Sequence, residues 1–554
     1  MESNGRRAIG AACVAGLLAL GGCGGSSGAG APDAPVPVAG MPPGGGGSAP
    51  SGSGTAVQAG PSCTLQYTLT DSPLLAGADP LRSLQWHLEN TGQTGGAVGE
   101  DLRAVPAWSV TRGEGVRIAV IDDAVEVVHA DLRPNVVDAQ SFSYRAGQRG
   151  SAYPVPCTLA DAHGTAVAGI AVARDGNATG GAGVAPRASL VAYDALSSGT
   201  DGDIADALTR ASDANHVYHN SWGSPDDRAL HRADPAFDAA IDAGIASGRG
   251  GLGSVFVFSA GNGGCDALRR ASGTCFDDDA NYDGYVNRRG VIAVCAVDDS
   301  GRRPAYGEPG ANLTVCAPSS RTTQAPGITT TALQSGFRAD FSGTSASAPM
   351  VSGVVALMLS VNPRLTWRDV PLILAKTARQ NDAGDAGWTS AFGLRFNHQY
   401  GFGVADAQAA VAAARTWTSV GGSADQRVCG PYASTVGRAL RDPLPDGALQ
   451  PVSDTVIVAG CPITRIEWVE LRFTAPHAYP GDLRVRLSSP NGLVSRFADA
   501  RLCDGGCGSY DAWRFGSMRH LDESADGTWT LEATDMVADD TGTFAGWQIT
   551  LHGR

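Results

Sequence analysis

The chain is poor in positive charge and lacks the residue spacings of common metal-binding domains. Only 17% of its 554 residues are charged, and 41 Lys and Arg stand against 55 Asp and Glu, a formal net charge of −14. This balance argues against a nucleic-acid partner, although an acidic surface often serves solubility alone. The tightly spaced Cys and His pairs of structural zinc sites are also missing. We therefore exclude nucleic-acid-binding and zinc-stabilised domains.

Hydrophobic runs long enough to cross a membrane are missing too, and the clearest short run lies at the N-terminus. Residues 1–23 combine Arg6 and Arg7 with an apolar stretch at 9–20, and residues 20–23 read Leu-Gly-Gly-Cys. Such a segment is typical of an export signal and resembles the lipobox of bacterial lipoproteins. We expect a lipoprotein-type signal peptide at 1–23 and a lipidated Cys23 that attaches the protein to the bacterial cell envelope. The alternative is an ordinary cleaved signal peptide and a secreted protein.

The cysteines fit an exported protein. Setting aside Cys13 and Cys23 leaves an even number of the 12 cysteines, which allows up to five disulfides in an oxidising compartment. Cys265 with Cys275 and Cys503 with Cys507 are candidate local pairs. The sequence does not fix the connectivity.

The rest of the chain divides into three parts. Residues 24–70 are rich in Gly and Pro and predict a flexible tether. In residues 71–418, apolar strand-like runs at 116–121, 189–193, 255–259 and 291–296 alternate with helical stretches, which predicts an α/β domain with a parallel sheet covered on both faces. Residues 423–554 carry short alternating runs at 465–473, 483–488, 528–533 and 547–551, which predict an all-β sandwich.

Four polar residues stand where chemistry is expected. Asp122 ends a buried strand, His163 opens an apolar helical run, Asn262 lies in a glycine-rich turn, and Ser345 begins another apolar helix. Peptide hydrolysis needs a nucleophilic hydroxyl, a base, a carboxylate that orients the base, and a donor for the oxyanion. Each residue alone is more often a cap or a loop residue, but the four together predict a hydrolase site.

These segments resemble the subtilase family. The resemblance is carried by residues 120–123, 163–165, 221–223, 259–262 and 343–349, in the order Asp, His, Ser that subtilisin uses. It implies Ser345 as nucleophile, His163 as general base and acid, Asp122 as its orienter and Asn262 as oxyanion donor. It also implies that Ser221, Trp222 and Gly223 line the cleft and pair with the substrate backbone as an added strand.

The branch that the chain resembles is that of the kexin and furin proprotein convertases. Residues 477–483, 487–492 and 540–547 are similar to motifs of their accessory P domain. The implied architecture is a subtilisin-like parallel sheet with helices on both faces, followed by a β-sandwich P domain at 423–554.

The same resemblance implies two calcium sites, since calcium collects carboxylate and carbonyl oxygens from separate loops. The first would use the side chains of Asp79, Asp131 and Asn177 and the carbonyls of Arg174, Thr179 and Gly181. The second, beside the specificity pocket, would use Asp226, Asp278 and Glu308. For any one of these acids, a solvated surface role is the alternative.

The resemblance also implies specificity for basic residues, through three further acids. Asp283 corresponds to the floor of the primary pocket, where a carboxylate would pair with an Arg or Lys that precedes the scissile bond. Asp123 corresponds to the position that faces the next residue upstream, and Asp206 to a more distant subsite. Alternatively, Asp283 caps a turn and specificity is broad.

The predicted protein is a calcium-dependent serine endopeptidase that is exported, acts on polypeptides and is monomeric. Two other functions stay open. One is an inactive scaffold that works through its P domain, and the other is a maturation factor dedicated to a single partner.

Overall fold

The computed structural model describes residues 55–57, 63–69, 75–266, 275–322, 326–503 and 506–554. The predicted signal peptide, Cys23 and most of the tether lie outside the described residues. The tether was predicted to reach residue 70, but β1 (Thr55–Val57) pairs with β2 (Tyr67–Leu69), and Val57, Leu65 and Tyr67 are buried in the core of the first domain. This stretch belongs to the folded protein because it carries apolar side chains and a cysteine bound to Cys157.

A six-stranded parallel sheet forms the centre of the first domain. Its strands are β3 (Arg117–Ile121), β4 (Ser189–Tyr193), β5 (Val217–Asn220), β6 (Val255–Ser259), β7 (Val291–Val297) and β8 (Leu313–Pro318), in the order β4-β3-β5-β6-β7-β8. Nearly all their residues are buried, as is usual for a parallel sheet covered on both faces. The predicted α/β class is confirmed.

Helices cover this sheet; one of them begins at His163, and Ser345 is the second residue of another. The described helices are α1 (Ala104–Ala107), α2 (His163–Val172), α3 (Asp201–Thr209), α4 (Pro235–Ser247), α5 (Thr344–Val361), α6 (Asp369–Thr377) and α7 (Ala407–Thr416). By length and composition α5 could cross a membrane, but 83% of it is buried inside the protein, against α2 and the sheet. It is the core helix of the first domain.

Two hairpins complete this domain. The first, β9 (Ile328–Ala332) with β10 (Gly336–Phe341), leads directly into α5, and the second pairs β11 (Thr389–Ala391) with β12 (Leu394–Phe396).

The second domain is a sandwich of two four-stranded sheets whose paired strands are all antiparallel. Its strands are β13 (Arg427–Leu440), β14 (Val452–Val458), β15 (Ile466–Ala475), β16 (Leu483–Ser488), β17 (Val494–Ala498), β18 (Tyr510–Ser517), β19 (Gly527–Asp535) and β20 (Gly542–Gly553). The sheet orders are β13-β20-β15-β18 and β14-β19-β16-β17. Apolar residues of both sheets form one core. This is the sandwich that the alternating pattern predicted.

The two domains share buried contacts. Arg368 of the first domain and Glu467 of the second form a two-pronged ion pair with N–O distances of 2.9 and 2.8 Å, and their side chains are 1% and 7% exposed. Beside it, Leu372 and Phe402 pack in one apolar cluster with Trp468. A buried ion pair and a shared apolar cluster therefore fix the sandwich to the first domain.

Five disulfides tie the described chain together. They join Cys63 to Cys157, Cys265 to Cys275, Cys295 to Cys316, Cys429 to Cys461, and Cys503 to Cys507. The two local pairs predicted from the sequence are confirmed.

Candidate active site

The sheet and its helices determine the positions of three of the four predicted catalytic residues. The carboxyl ends of β3, β5 and β6 lie at one edge of the sheet, because the strands are parallel neighbours. Asp122 directly follows β3, and Asn262 lies just beyond β6. His163 is the first residue of α2, which packs on α5.

The strongest catalytic contact joins Asp122 and His163. Nδ1 of His163 lies 2.9 and 3.1 Å from the two carboxylate oxygens of Asp122, which is 1% exposed. This geometry holds the imidazole with Nδ1–H toward the carboxylate and leaves Nε2 to act as a base. Burial disfavours the imidazolium, but Asp122 and the charge of Asp123 raise the pKa of His163 to about 9.

Ser345 and Asn262 meet at the N-terminus of α5. Oδ1 of Asn262 accepts a hydrogen bond from the backbone N–H of Thr344 at 2.8 Å, so its Nδ2 group is the part that can donate to a substrate. The hydroxyl of Ser345 donates to the carbonyl of Ser221 at 3.3 Å. In the described part of the chain no hydrogen bond joins this hydroxyl to His163, so the nucleophile would need a side-chain rotation to reach its base.

The predicted cleft residues follow β5. Trp222 donates from Nε1 to the carbonyl of Ile121 at 3.0 Å, which ties the cleft strand to the strand that carries Asp122. A Cβ at Gly223 would lie 2.4 Å from Oδ2 of Asp283, so only glycine leaves room for that carboxylate.

Asp283 is held in place by hydrogen bonds from neighbouring residues. Its carboxylate accepts from the N–H of Ser224 at 2.9 Å, from the hydroxyl of Ser224 at 3.0 Å and from the N–H of Tyr285 at 2.7 Å. Burial raises the pKa of Asp283. No Arg, Lys or His within the described ranges forms an ion pair with it, so only hydrogen-bond donors offset its charge there.

Asp123 and Asp206 have structural partners of their own. Asp123 accepts from the backbone N–H groups of His163 at 3.1 Å and Gly164 at 2.9 Å, and thereby caps α2. Burial, followed by the charge of Asp122, raises the pKa of Asp123 to about 7. Asp206 lies in α3, where Tyr144 and Arg210 bind its carboxylate. The structure thus brings Asp123 to the site and gives Asp206 an internal counter-charge.

The first predicted calcium set is gathered around the loop at 176–181. Asp79 accepts from the backbone N–H of Gly176 at 2.8 Å and of Asn177 at 3.1 Å. Asp131 accepts from Nδ2 of Asn177 at 2.8 Å and from the N–H of Gly181 at 3.2 Å. Burial raises the pKa of both acids, that of Asp131 to about 7. Two neighbouring acids with this bias suit a cation.

The second set surrounds the loop that carries Asn262. Asp226 accepts from the N–H of Asn262 at 3.2 Å, and Glu308 accepts from the N–H of Gly263 at 2.8 Å. Burial raises the pKa of Asp278 to about 7 and that of Glu308 well above its usual range, and the charges of Asp278 and Asp226 add to the effect at Glu308. Three carboxyl groups that resist joint ionisation fit a divalent cation as counter-charge.

These acids do not converge on one point. Across the described ranges, no group of three or more His, Cys, Asp or Glu side chains has the arrangement of a ready metal site. The carboxylates instead bind backbone N–H groups of the loops around them.

Comparison with known proteins identifies the first domain. The model of the subtilase family matches residues 113–403, just over half of the 554 residues. The chain belongs to the subtilase family. The model of the proprotein convertase P domain matches residues 466–551, within the sandwich of this subtilase.

Similar proteins come from several eukaryotes. The dibasic-processing endoprotease of Schizosaccharomyces pombe, human furin and neuroendocrine convertase 2 of Drosophila melanogaster are each 32% identical over 494, 488 and 499 residues. Each comparison covers 86% of this subtilase and 66%, 58% and 72% of the relative. This subtilase therefore spans about three fifths to seven tenths of the length of these relatives.

A solved structure supports the whole architecture. A serine protease of Aeromonas sobria has a TM-score of 0.75 and 25% identity, over 90% of this subtilase and 98% of that chain. The same protease, in complex with a chaperone, matches 88% of this subtilase and 96% of that chain, again with a TM-score of 0.75. The similarity thus includes both domains.

Two buried residues of this subtilase escaped the sequence analysis. His219 lies 2.8 Å from the hydroxyl of Ser221 and 2.9 Å from that of Ser352. The signal was a histidine two residues before Ser221 on a strand, and a serine seven residues after Ser345 on a helix. These spacings place each pair on one face, but only the packing of β5 on α5 brings the two faces together.

Proposed function

We propose that this subtilase is a serine endopeptidase that hydrolyses peptide bonds through an acyl-enzyme. The observation that carries the proposal is the contact of both Asp122 carboxylate oxygens with Nδ1 of His163, at the edge of the sheet where Ser345 begins α5. The names of the relatives, an endoprotease and furin among them, support the same activity.

Each residue has one task in this reaction. Ser345 turns its hydroxyl from the Ser221 carbonyl toward Nε2 of His163, which takes the proton as Oγ attacks the substrate carbonyl. Asp122 stabilises the imidazolium that forms. Nδ2 of Asn262 and the N–H of Ser345 at the helix N-terminus stabilise the oxyanion. His163 then protonates the leaving amine, and water releases the acyl group by the same route.

The activity is tested with the variant Ser345→Ala. We expect turnover to fall by about ten-thousandfold or more while the melting temperature stays unchanged, because the hydroxyl is lost without a packing change. Labelling by a serine-directed phosphonate should disappear as well. An inactive scaffold would leave the parent protein unlabelled, and cleavage by purified Ser345→Ala at the parent's rate would contradict the assignment.

For specificity, we propose cleavage after Arg or Lys. The support is the partly buried carboxylate of Asp283, which forms no ion pair with any described residue and adjoins Gly223 of the cleft. The name of the fission yeast relative favours a second basic residue, and Asp123 is the candidate acid for it. A peptide library would show a basic preference in the parent and its loss in Asp283→Asn. Uniform cleavage by the parent would support the alternative, in which Asp283 only caps its turn.

We also propose that the protease depends on calcium. A bound calcium ion would supply positive charge to Asp226, Asp278 and Glu308, whose pKa values are all raised by burial. Asp226 and Glu308 accept from the N–H groups of Asn262 and Gly263 and so position the loop of the oxyanion donor. Asp79 and Asp131 would bind a second ion, with Asn177. A chelator should lower both activity and melting temperature, and calcium should restore them.

Export to the cell envelope, with Cys23 lipidated, is the proposed location. The sequence at 1–23 and the five disulfides of the described chain support it, since disulfides persist in oxidising compartments. A membrane fraction that holds the parent but not Cys23→Ala would support the anchor, and release of both would favour secretion.

We propose that the enzyme acts on polypeptide substrates and is a monomer. Light scattering would test the monomeric state. A factor dedicated to one partner would cleave that partner but few library peptides.

A further inference from the structure

A row of buried polar side chains runs beneath the nucleophile. His219 lies in β5 and Ser221 is the first residue after that strand, while Ser345 and Ser352 lie two turns apart on one face of α5. Nδ1 of His219 is 2.9 Å from Oγ of Ser352, and Nε2 is 2.8 Å from Oγ of Ser221. Oγ of Ser221 lies 3.0 Å from the carbonyl oxygen of Ser345. The row is closed to solvent, with His219 and Ser352 0% exposed and Ser221 4% exposed.

Chemistry fixes the direction of every hydrogen bond in this row. The carbonyl of Ser345 can only accept, so the hydroxyl of Ser221 donates to it. Oγ of Ser221 then accepts from Nε2–H of His219. Burial lowers the pKa of His219 to about 3, so the imidazole is neutral and carries one N–H. Nδ1 therefore accepts from the hydroxyl of Ser352.

Ser221, directly after β5, binds both the carbonyl and the hydroxyl of Ser345. The side chain of Ser221 binds its carbonyl, and the carbonyl of Ser221 accepts from its hydroxyl at 3.3 Å. The side chain of Ser221 thus holds the backbone of Ser345 in place, while its carbonyl holds the hydroxyl only until that group turns to His163. Small displacements of a reacting group cost large factors in rate, so the support of Ser221 matters for turnover.

We propose that His219 is a positioning residue for the nucleophile and acts with Ser352 through Ser221. The inference rests on the proposed function of Ser345. The row holds the hydroxyl of Ser221 in one orientation. This hydroxyl in turn holds the start of α5 against the cleft segment that begins at Ser221. Its loss should lower turnover and leave substrate binding unchanged, because none of the three side chains reaches the specificity residue Asp283.

The test compares Ser352→Ala with Ser347→Ala. Ser347 is a matched control because it lies on the same helix, is also 0% exposed, and donates to the carbonyl of Ala317 at 2.9 Å. Both variants lose one buried hydroxyl and should lose similar thermal stability. We expect kcat of Ser352→Ala on an Arg-containing peptide to fall about five- to tenfold at constant KM, the size of one lost buried hydrogen bond, and that of Ser347→Ala to stay within twofold.

A double-mutant cycle separates positioning from general stability. Ser221→Ala removes the hydroxyl that joins His219 to the Ser345 carbonyl, so adding Ser352→Ala to it should lower kcat no further. His219→Gln keeps an N–H donor for Ser221 and should retain more turnover than His219→Leu. If His219→Leu does not fold, the double-mutant cycle of Ser221→Ala and Ser352→Ala tests the inference without it. Unchanged kcat in Ser352→Ala, or additive losses in the cycle, would overturn the inference alone. A parent that neither cleaves nor reacts with the phosphonate would contradict the proposed function and the inference together.

Discussion

At the scale of single residues, two carboxylates, those of Asp122 and Asp123, control the pKa of the His163 imidazole. Asp122 orients His163, and Asp123 caps the helix that His163 begins. Both carboxylates favour the protonated imidazole, so the base becomes available only at higher pH.

Asp123→Asn should shift the acidic limb of the pH profile. The amide keeps an oxygen for the helix N–H groups but removes one negative charge, so the pKa of His163 falls and the neutral base forms at lower pH. We expect the acidic midpoint of kcat/KM to move down by about one pH unit or less. Asp206→Asn, whose charge Arg210 already offsets, serves as the control and should leave the midpoint in place. An upward shift in Asp123→Asn would contradict the electrostatic account.

Glu308→Gln should lower the melting temperature when calcium is present but not when calcium is removed. Glu308, Asp226 and Asp278 repel one another when ionised, so a neutral amide relieves repulsion in the absence of a cation and weakens a calcium ligand in its presence. With chelator we expect a melting temperature equal to or up to about 2 °C above that of the parent. With calcium we expect a lower one, and the exposed Asp213→Asn should follow the parent in both buffers.

At the scale of elements, the leading hairpin is a structural part of the first domain. β1 and β2 bury Val57 and Tyr67, and Cys63 joins Cys157, which shortly precedes the helix of His163. The link closes a separation of 94 residues in the unfolded chain.

Replacing Cys63 and Cys157 together by Ser should lower the melting temperature by several degrees. Loop-closure entropy for this separation corresponds to about 4–5 kcal/mol, against about 2 kcal/mol for the short loop between Cys503 and Cys507. The double Ser variant of that short loop is the matched comparison, and thermal unfolding in oxidising buffer measures both. A larger loss for the short loop would show that chain entropy does not dominate.

What the sequence reveals about these elements depends on whether the signal is local. Asp122, His163, Asn262 and Ser345 each stand at a strand end or a helix start, so their elements and motifs could be predicted. Cys265 and Cys275 are near in sequence, and their pairing could be guessed. The Cys295–Cys316 bond needs the knowledge that β7 and β8 are neighbours. His219 and Ser352 meet only when a strand face packs on a helix face, which no spacing within one segment reveals.

At the scale of the whole molecule, the interface of the two domains is a stability determinant. Arg368 donates two short hydrogen bonds to the carboxylate of Glu467, and both side chains are buried. The carbonyls of residues 420 to 422, on the segment between the domains, also accept from Arg368.

Arg368→Ala should destabilise the protein by about 3–5 kcal/mol, because it leaves the buried carboxylate of Glu467 with a weakened counter-charge. Arg368→Met combined with Glu467→Leu should recover much of that loss, since the unpaired charge is gone. Arg82→Ala is the control, because its pair with Glu89 is 25% and 55% exposed and should contribute less than about 1 kcal/mol. Calorimetry of the full chain gives all three values, and equal losses in Arg368→Ala and Arg82→Ala would contradict the account.

The shared interface also limits how such proteins can be recombined. Leu230, Tyr282 and Ala311 of the first domain are members of the sandwich's own hydrophobic core, and Trp468 of the sandwich packs among side chains of the first. A chimera that exchanges the sandwich for one of another ancestry would leave cavities and clashes on both sides of the boundary. Successful exchange must transplant these facing side chains as a set.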